Sequence, residues 1–317
     1  MMRRWLYAAV AMIVVVGLAA GGIPMIFNWY LGETLNLDDA VRASSPGSFI
    51  KLSDGYTHYE LSGPGDGQVV VLINGFMVPY YNWDKTVPAL TEAGLRVLRY
   101  DLYGRGLSDR PNRVYDTNLF DRQLSELLDG LELRTPVDLA GVSMGGPLAA
   151  AFADRHPDRV RRLVFLDPAG FLVEQNRLLK LVQTPFLGEL LMNLFSEQFT
   201  AGQLPGDFYH PERFSEYVER FRPAMRYHGS RAALLSTLRT ELVGDFTPVY
   251  RRVAGLGKPI LVIWGEEDTV DPGSATQRAR QILTAADFHI IPEAGHEVHY
   301  ERPELVNPLL VEFLTRQ

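Results

Sequence analysis

Gly141, Val142, Ser143, Met144, Gly145 and Gly146 form a Gly-x-Ser-x-Gly run between an apolar stretch of strand length and a stretch of helical character. On a sharp strand-to-helix turn a serine hydroxyl is lifted clear of the sheet, and glycines two before and two after let strand and helix approach where side chains would clash. The chemistry open to such a serine is nucleophilic attack on a carbonyl. The Met144 amide, at the start of the helix, is an unpaired donor favoured by the helix dipole and is placed to receive an oxyanion. The plainer alternative is a small-residue turn with no chemistry.

A serine hydroxyl is too weakly acidic to attack unaided and needs a histidine base that is itself oriented by a carboxylate. Behind such an elbow the acid and then the base follow in the chain, which leaves His289, His296 and His299. His289 lies in an apolar strand and reads as a packed residue. His296 follows that strand in the loop Glu293, Ala294, Gly295, His296, from which a side chain reaches over the C-terminal edge of a sheet, where ligands bind. It is the predicted base, with His299 the runner-up. His58, His156, His210 and His228 read as surface or inserted-segment residues.

For the acid, the apolar run Ile260–Trp264 ends in Gly265, Glu266, Glu267, Asp268, Thr269, Val270, Asp271 and Pro272. Asp268, in the loop opposite the histidine loop, is the predicted partner, while Glu266, Glu267 and Asp271 read as solvated charges or helix caps. Asp167, after the preceding strand, stays open as an alternative acid, with bonding of loop amides as its other role. The second oxyanion amide is expected from the turn Asn74, Gly75, Phe76, at Phe76.

These residues need a sheet whose strand ends converge. Val69–Ile73, Arg96–Tyr100, Val137–Ala140, Val160–Leu166, Ile260–Trp264 and Phe288–Ile291 are near-continuous apolar runs, as suits strands covered on both faces. Helical patterns at Asn82–Ala93, Asn118–Leu131, Met144–Arg155, Ser274–Leu283 and Pro303–Leu314 alternate with them, which predicts a mostly parallel, doubly wound α/β sheet. A hairpin from Phe49–Leu52 and Tyr56–Leu61 precedes it. About ninety residues separate the strands ending at Leu166 and starting at Ile260, more than a crossover needs. The spacing of Leu178, Leu179, Leu181, Val182, Phe186, Leu187, Leu190 and Leu191 predicts an inserted helical cap there, followed by an aromatic-bearing stretch through Phe214, Tyr217, Phe221 and Tyr227.

The 317 residues, 46% hydrophobic and 22% charged, provide for one large core, and a net charge of -7 leaves no basic stripe for nucleic acid. The absence of cysteine removes disulfides, thiolate catalysis and Cys-ligated zinc, and leaves the compartment open. Arg3 and Arg4 precede an uncharged stretch from Trp5 to Tyr30. About 20 helical residues span a bilayer core of roughly 30 Å, so this stretch predicts a membrane anchor with the catalytic domain on the extracytoplasmic, periplasmic side. Cleavage near Ala19, Ala20, Gly21 and Gly22, giving a secreted enzyme, is the competing expectation. The expected organisation is therefore an anchor or signal at 1–30, a linker at 31–47, core at 48–169, cap at 170–255 and core again at 256–317.

With these motifs in this order, residues 48–315 resemble the α/β-hydrolase superfamily, specifically its esterase and lipase-like members with a helical cap. The matching residues are Asn74, Gly75 and Phe76, Asp101 to Ser108, the GVSMGG run, Gly265 to Pro272, and His296 with Glu301 and Pro303. Asn74 departs from the usual His-Gly-x, which leaves a backbone oxyanion role intact. In the family the Asp101 to Ser108 loop looks structural. The resemblance excludes haloalkane dehalogenases and epoxide hydrolases, which place Asp at the nucleophile position, and Val142 argues against carbon–carbon bond hydrolases, which usually carry Asn before the serine. It implies a carboxylic-ester hydrolase working through an acyl-enzyme with no metal or organic cofactor, and the apolar residues of the cap suggest a lipophilic substrate such as a monoacylglycerol or another medium-chain ester. A non-ester hydrolase or cofactor-free perhydrolase would share the same residues. A non-catalytic protein-binding relative is the third possibility, which the intact Ser143, Asp268 and His296 oppose.

Overall fold

Val69–Ile73, three valines followed by leucine and isoleucine, form strand β3, and all five residues are buried. Their side chains alternate between two apolar layers, Val69, Val71 and Ile73 on one face and Val70 and Leu72 on the other, as the two-residue period of a strand requires. A sheet buried on both faces follows. The computed structural model describes residues 32–171, 177–271 and 273–316. Its eight strands are β1 (Ser48–Leu52), β2 (Gly55–Ser62), β3, β4 (Arg96–Tyr100), β5 (Val137–Val142), β6 (Val160–Leu166), β7 (Ile260–Gly265) and β8 (Asp287–Ile291), in the spatial order β1-β2-β4-β3-β5-β6-β7-β8. β1 and β2 pair antiparallel, as do β2 and β4, and every other neighbour is parallel. This is the α/β-hydrolase fold.

Register decides what meets at the sheet's C-terminal edge. Ile73 of β3 lies opposite Gly141 of β5, Val142 opposite Leu166 of β6, and Gly265 of β7 opposite Ile291 of β8. The loops after β3, β5, β6, β7 and β8 therefore leave from one edge, which brings together residues as far apart in the chain as Gly75 and His296.

Short helix α1 (Asp39–Ser44) precedes the sheet. Helices α2 (Val87–Glu92), α3 (Thr117–Gly130) and α4 (Gly145–Arg155) follow β3, β4 and β5. The expected helix from Asn82 is instead a 3₁₀ turn, Tyr80–Trp83, and a separate α2, because Pro88 can only sit in a first helical turn. Between β6 and β7 lie α5 (Arg177–Gln183), α6 (Leu187–Leu194), α7 (Ser196–Phe199), α8 (Ser215–Phe221), α9 (Ser230–Leu238) and α10 (Thr247–Ala254). Tyr250 and Val253 of α10 join the apolar layer of the sheet with Ala149 and Phe152 of α4. The preceding helices build clusters of their own, one around Phe208, Phe214, Tyr217 and Phe221, another around Val182, Met192, Leu234 and Leu235. Helices α11 (Gly273–Ile282), α12 (Val298–Glu301) and α13 (Pro303–Thr315) complete the chain, with Val306, Leu310 and Phe313 of α13 covering the second face.

Residues 33–35 are docked on the inserted segment. Leu35 forms a parallel bridge with Tyr227, and the Glu33 carboxylate accepts from the Gly229 and Arg231 amides at the start of α9.

Three further expectations are corrected. No helix among the described residues is long and apolar enough to cross a membrane, and the stretch on which an anchor was expected lies outside the described residues. The membrane-anchored, extracytoplasmic placement is accordingly withdrawn. His58, expected at the surface, is 3% exposed and bonded through Nδ1 to Asp101 Oδ2 at 2.8 Å, because β2 is covered by β1 and by the loop after β4. His289, expected to be packed, is half-buried beside Asp287, because β8 is an edge strand.

Candidate active site

β5 ends at Val142, and Ser143 takes the left-handed backbone conformation, φ 53°. A non-glycine residue held there is strained, and such strain clusters at functional sites. The surroundings hold it in place. The Ser143 amide donates to the Leu166 carbonyl at 3.0 Å, and the Ser143 carbonyl accepts from Gly146 at 2.9 Å and Ala169 at 3.1 Å. A methyl on Gly141 would sit 2.1 Å from the Gly145 carbonyl oxygen, and one on Gly145 would sit 2.3 Å from that of Ile73. Only glycine fits either position, so the turn can be this tight.

His296 reaches over the sheet edge from the loop after β8. Its Nε2 lies 2.8 Å from Ser143 Oγ and its Nδ1 lies 3.0 Å from Asp268 Oδ2. Both ring nitrogens are thus engaged, with the serine hydroxyl donating to Nε2 when Nδ1–H donates to the carboxylate. His296 is 4% exposed and Asp268 6%. Asp268 is fixed in turn, with Oδ1 accepting from the Val270 and Asp271 amides and Oδ2 also accepting from Trp264 Nε1.

Asp167 occupies the end of β6 and does not bond to His296. Its two oxygens accept from the Gly265 amide at 2.7 Å and the Val298 amide at 3.3 Å, tying the loops that carry Asp268 and His296 to each other. Burial, and after it the charge of Asp268, holds the Asp167 carboxyl well above its ordinary range. Burial alone would lower the His296 imidazole. The charge and hydrogen bond of Asp268, with Asp167 and Asp207 behind it, overcome this and hold it well above the usual histidine value. His299 is buried elsewhere, bonded to the Asn82 carbonyl, and burial pushes it down to about 3.

The two predicted oxyanion amides belong to Met144, directly after the serine, and to Phe76, directly after Gly75. Neither the Phe76 nor the Met144 amide donates to an acceptor among the described residues. Gly75 packs so close that a methyl there would lie 3.3 Å from Ser143 Cβ and 3.8 Å from Oγ. Phe76 also forms one wall of a cavity of about 240 Å³, lined otherwise by Leu179, Val182, Met192, Phe199, Gln203, Leu234 and Leu238 of the inserted segment. Gln203 is the one polar side chain among these lining residues, and none of them is charged. A larger groove of about 560 Å³, beside Gly32, Arg222 and Arg226, contains no residue of the Ser143 site. Among the described residues no group of three or more His, Asp and Glu side chains is arranged to hold a metal ion.

The sequence reading missed the contacts from the inserted segment. The Asp207 carbonyl accepts from the His296 amide at 2.7 Å, and Glu301 accepts from the Gly295, Tyr209 and His210 amides. The Tyr217 hydroxyl lies 3.0 Å from Oε1 of Glu297, next to His296, and 3.0 Å from Oδ1 of Asn82. An acid directly after the base was a visible signal for Glu297. For Asp207, whose carbonyl and charge both act on the histidine loop from the inserted segment, there was none.

The profile of the alpha/beta hydrolase fold matches residues 68–303. The chain is 30% identical over 296 residues to a 2-hydroxy-6-oxononadienedioate/2-hydroxy-6-oxononatrienedioate hydrolase of Paraburkholderia xenovorans, covering 87% of this chain and 97% of the other. A solved meta-cleavage product hydrolase from Pseudomonas fluorescens superposes with a TM-score of 0.69 at 27% identity, over 84% of this chain and 97% of that one. The enol-lactonase of Burkholderia xenovorans shares the fold with a TM-score of 0.73 at 24% identity, over 84% and 100%.

Proposed function

The chain belongs to the alpha/beta hydrolase fold family, and within that hydrolase family we propose that it cleaves carboxylic esters of apolar acids. Ser143 is the nucleophile, His296 the base, Asp268 the residue that orients it, and the Phe76 and Met144 amides are the oxyanion donors. The observation that carries this reading is the continuous contact from Ser143 Oγ to His296 Nε2 and from His296 Nδ1 to Asp268.

In this mechanism His296 takes the Ser143 proton as Oγ attacks the ester carbonyl, and the two amides receive the oxyanion. The imidazolium then protonates the departing alcohol, leaving an acyl-enzyme. Water activated by the same imidazole releases the acid. Asp268 holds the ring in the tautomer that presents Nε2 to the serine.

The cavity beside Phe76 supports an apolar acyl group. At about 240 Å³ the cavity suits a medium acyl chain better than a long one. Residues 170–255 act as its cap. Carbon–carbon bond hydrolysis is the second reading, favoured by the relatives. Its dicarboxylate substrates would meet no cation among the described lining residues, and an unpaired carboxylate is costly to bury.

Rates on p-nitrophenyl acetate, hexanoate and decanoate, set beside 2-hydroxy-6-oxononadienedioate, separate the two. The ester reading expects the highest kcat/KM on hexanoate. Preferred turnover of the dienedioate would replace it.

A further inference from the structure

Arg105 is 2% exposed, and its guanidinium bonds to no carboxylate among the described residues. Its three nitrogens donate to neutral acceptors on three different elements. Nε donates to the Phe76 carbonyl at 2.8 Å, Nη1 to the Tyr103 carbonyl at 3.1 Å, and Nη2 to Thr237 Oγ1 of α9 at 2.9 Å. The rings of Phe76, Tyr115 and Phe120 lie 5.5 to 5.9 Å from its central carbon. Burial is the main influence on the group and lowers it to about 9, which leaves it charged at neutral pH.

A buried charge without a counter-ion is costly, and bracing alone needs no charge. The position of the charge accounts for it. The Phe76 carbonyl that Arg105 fixes belongs to the residue whose amide is the proposed oxyanion donor, and Gly75 before it packs on Ser143. A fixed cation behind that loop favours negative charge developing on the substrate, more so in a site shielded from water. At its far end the same guanidinium grips α9, whose Leu234 and Leu238 line the cavity.

We infer that Arg105 is the positioning residue of the oxyanion loop, setting the Phe76 carbonyl and through it the backbone that carries the Phe76 amide, and coupling that backbone through Thr237 to the helix that walls the acyl cavity. This rests on the reading of Ser143 as an acyl-transfer nucleophile. It assigns to one side chain of the loop after β4 an action on the reaction beyond bracing the fold.

The test compares wild type with Arg105→Met, Arg105→Lys and Thr237→Val, using the rate at which a fluorophosphonate labels Ser143, the number of labelled sites, and kcat and KM on p-nitrophenyl hexanoate. Arg105→Met is expected to lower the per-site labelling rate and kcat by about 10- to 100-fold with KM within about threefold, a loss below that of an oxyanion donor itself. Arg105→Lys, which keeps the charge and loses the fork, recovers part of this. Thr237→Val, nearly isosteric, loses about three- to tenfold. Should Arg105→Met not fold, Thr237→Val decides. Fewer labelled sites with an unchanged per-site rate, or Thr237→Val within twofold of wild type, overturns the inference. A wild type that the probe does not label removes the reading of Ser143 beneath it, whereas a labelled wild type with unaffected variants removes the Arg105 inference alone.

Discussion

Oδ2 of Asp268 lies 3.0 Å from Nδ1 of His296, while Asp167, one strand away, commits both carboxylate oxygens to the Gly265 and Val298 amides. Two acids thus serve one histidine differently, one by holding its ring and one by holding the loops. Asp268→Asn should lower kcat about 10⁴-fold with little change in fold. Asp167→Asn should lower the melting temperature and reduce kcat far less. Steady-state kinetics with thermal melts check both, and a larger kcat loss in Asp167→Asn would exchange the two roles.

The imidazole must be neutral to accept the serine proton, and Asp268 holds His296 well above the usual 6.5. Activity should therefore disappear as pH falls through that raised value, placing the acidic limb of the kcat/KM profile above pH 6.5. Asp268→Asn should move the limb downward along with the fall in rate. A wild-type limb below 6.5 would contradict the electrostatics of the site.

Glu297 connects the histidine loop to Tyr217 of the inserted segment. Burial, and after it the charge of Asp207, raises its carboxyl from the ordinary 4.5 to about 7. A folded-state pKa above the unfolded one means that the folded protein binds the proton longer, so stability is lost as pH rises from about 4.5 to about 7. Glu297→Gln is spared that loss. Its melting temperature relative to wild type should rise by several degrees between pH 5 and pH 8, and a constant difference would argue against a protonated Glu297.

The cavity should set acyl length. Met192→Trp enlarges a side chain that lines the cavity together with Val182 and Leu234. Overpacking costs roughly 1–3 kcal/mol where no space exists; here the added volume enters the cavity. The kcat/KM for p-nitrophenyl hexanoate should fall at least tenfold, with acetate within about threefold. Equal losses on both esters would place the acyl chain elsewhere.

Much of this was legible because the physics is local. The bounds of β3, β4 and β6 agree with the sequence reading, since a run of apolar residues ended by Asn, Asp or Gly has few alternatives to a buried strand. Ser143, His296 and Asp268 were picked out at strand ends, and the structure brings them into contact because parallel register converts strand ends into neighbours. What stayed hidden depends on contacts across the chain. Tyr217 meets Asn82 and Glu297 from a helix whose placement no local pattern fixes. His58 and His289 were misplaced because burial follows a strand's rank in the sheet, which pairing decides. Arg105 read as part of a structural turn, and that no carboxylate among the described residues pairs with it is visible only in three dimensions.

The central claim is that Ser143 carries the acyl group. Rapid quenching of p-nitrophenyl hexanoate turnover, followed by peptide mass analysis, tests it most directly. A hexanoyl adduct is expected on the peptide containing Ser143 during turnover, and neither adduct nor hydrolysis in Ser143→Ala. Hydrolysis by Ser143→Ala at the wild-type rate would contradict the claim.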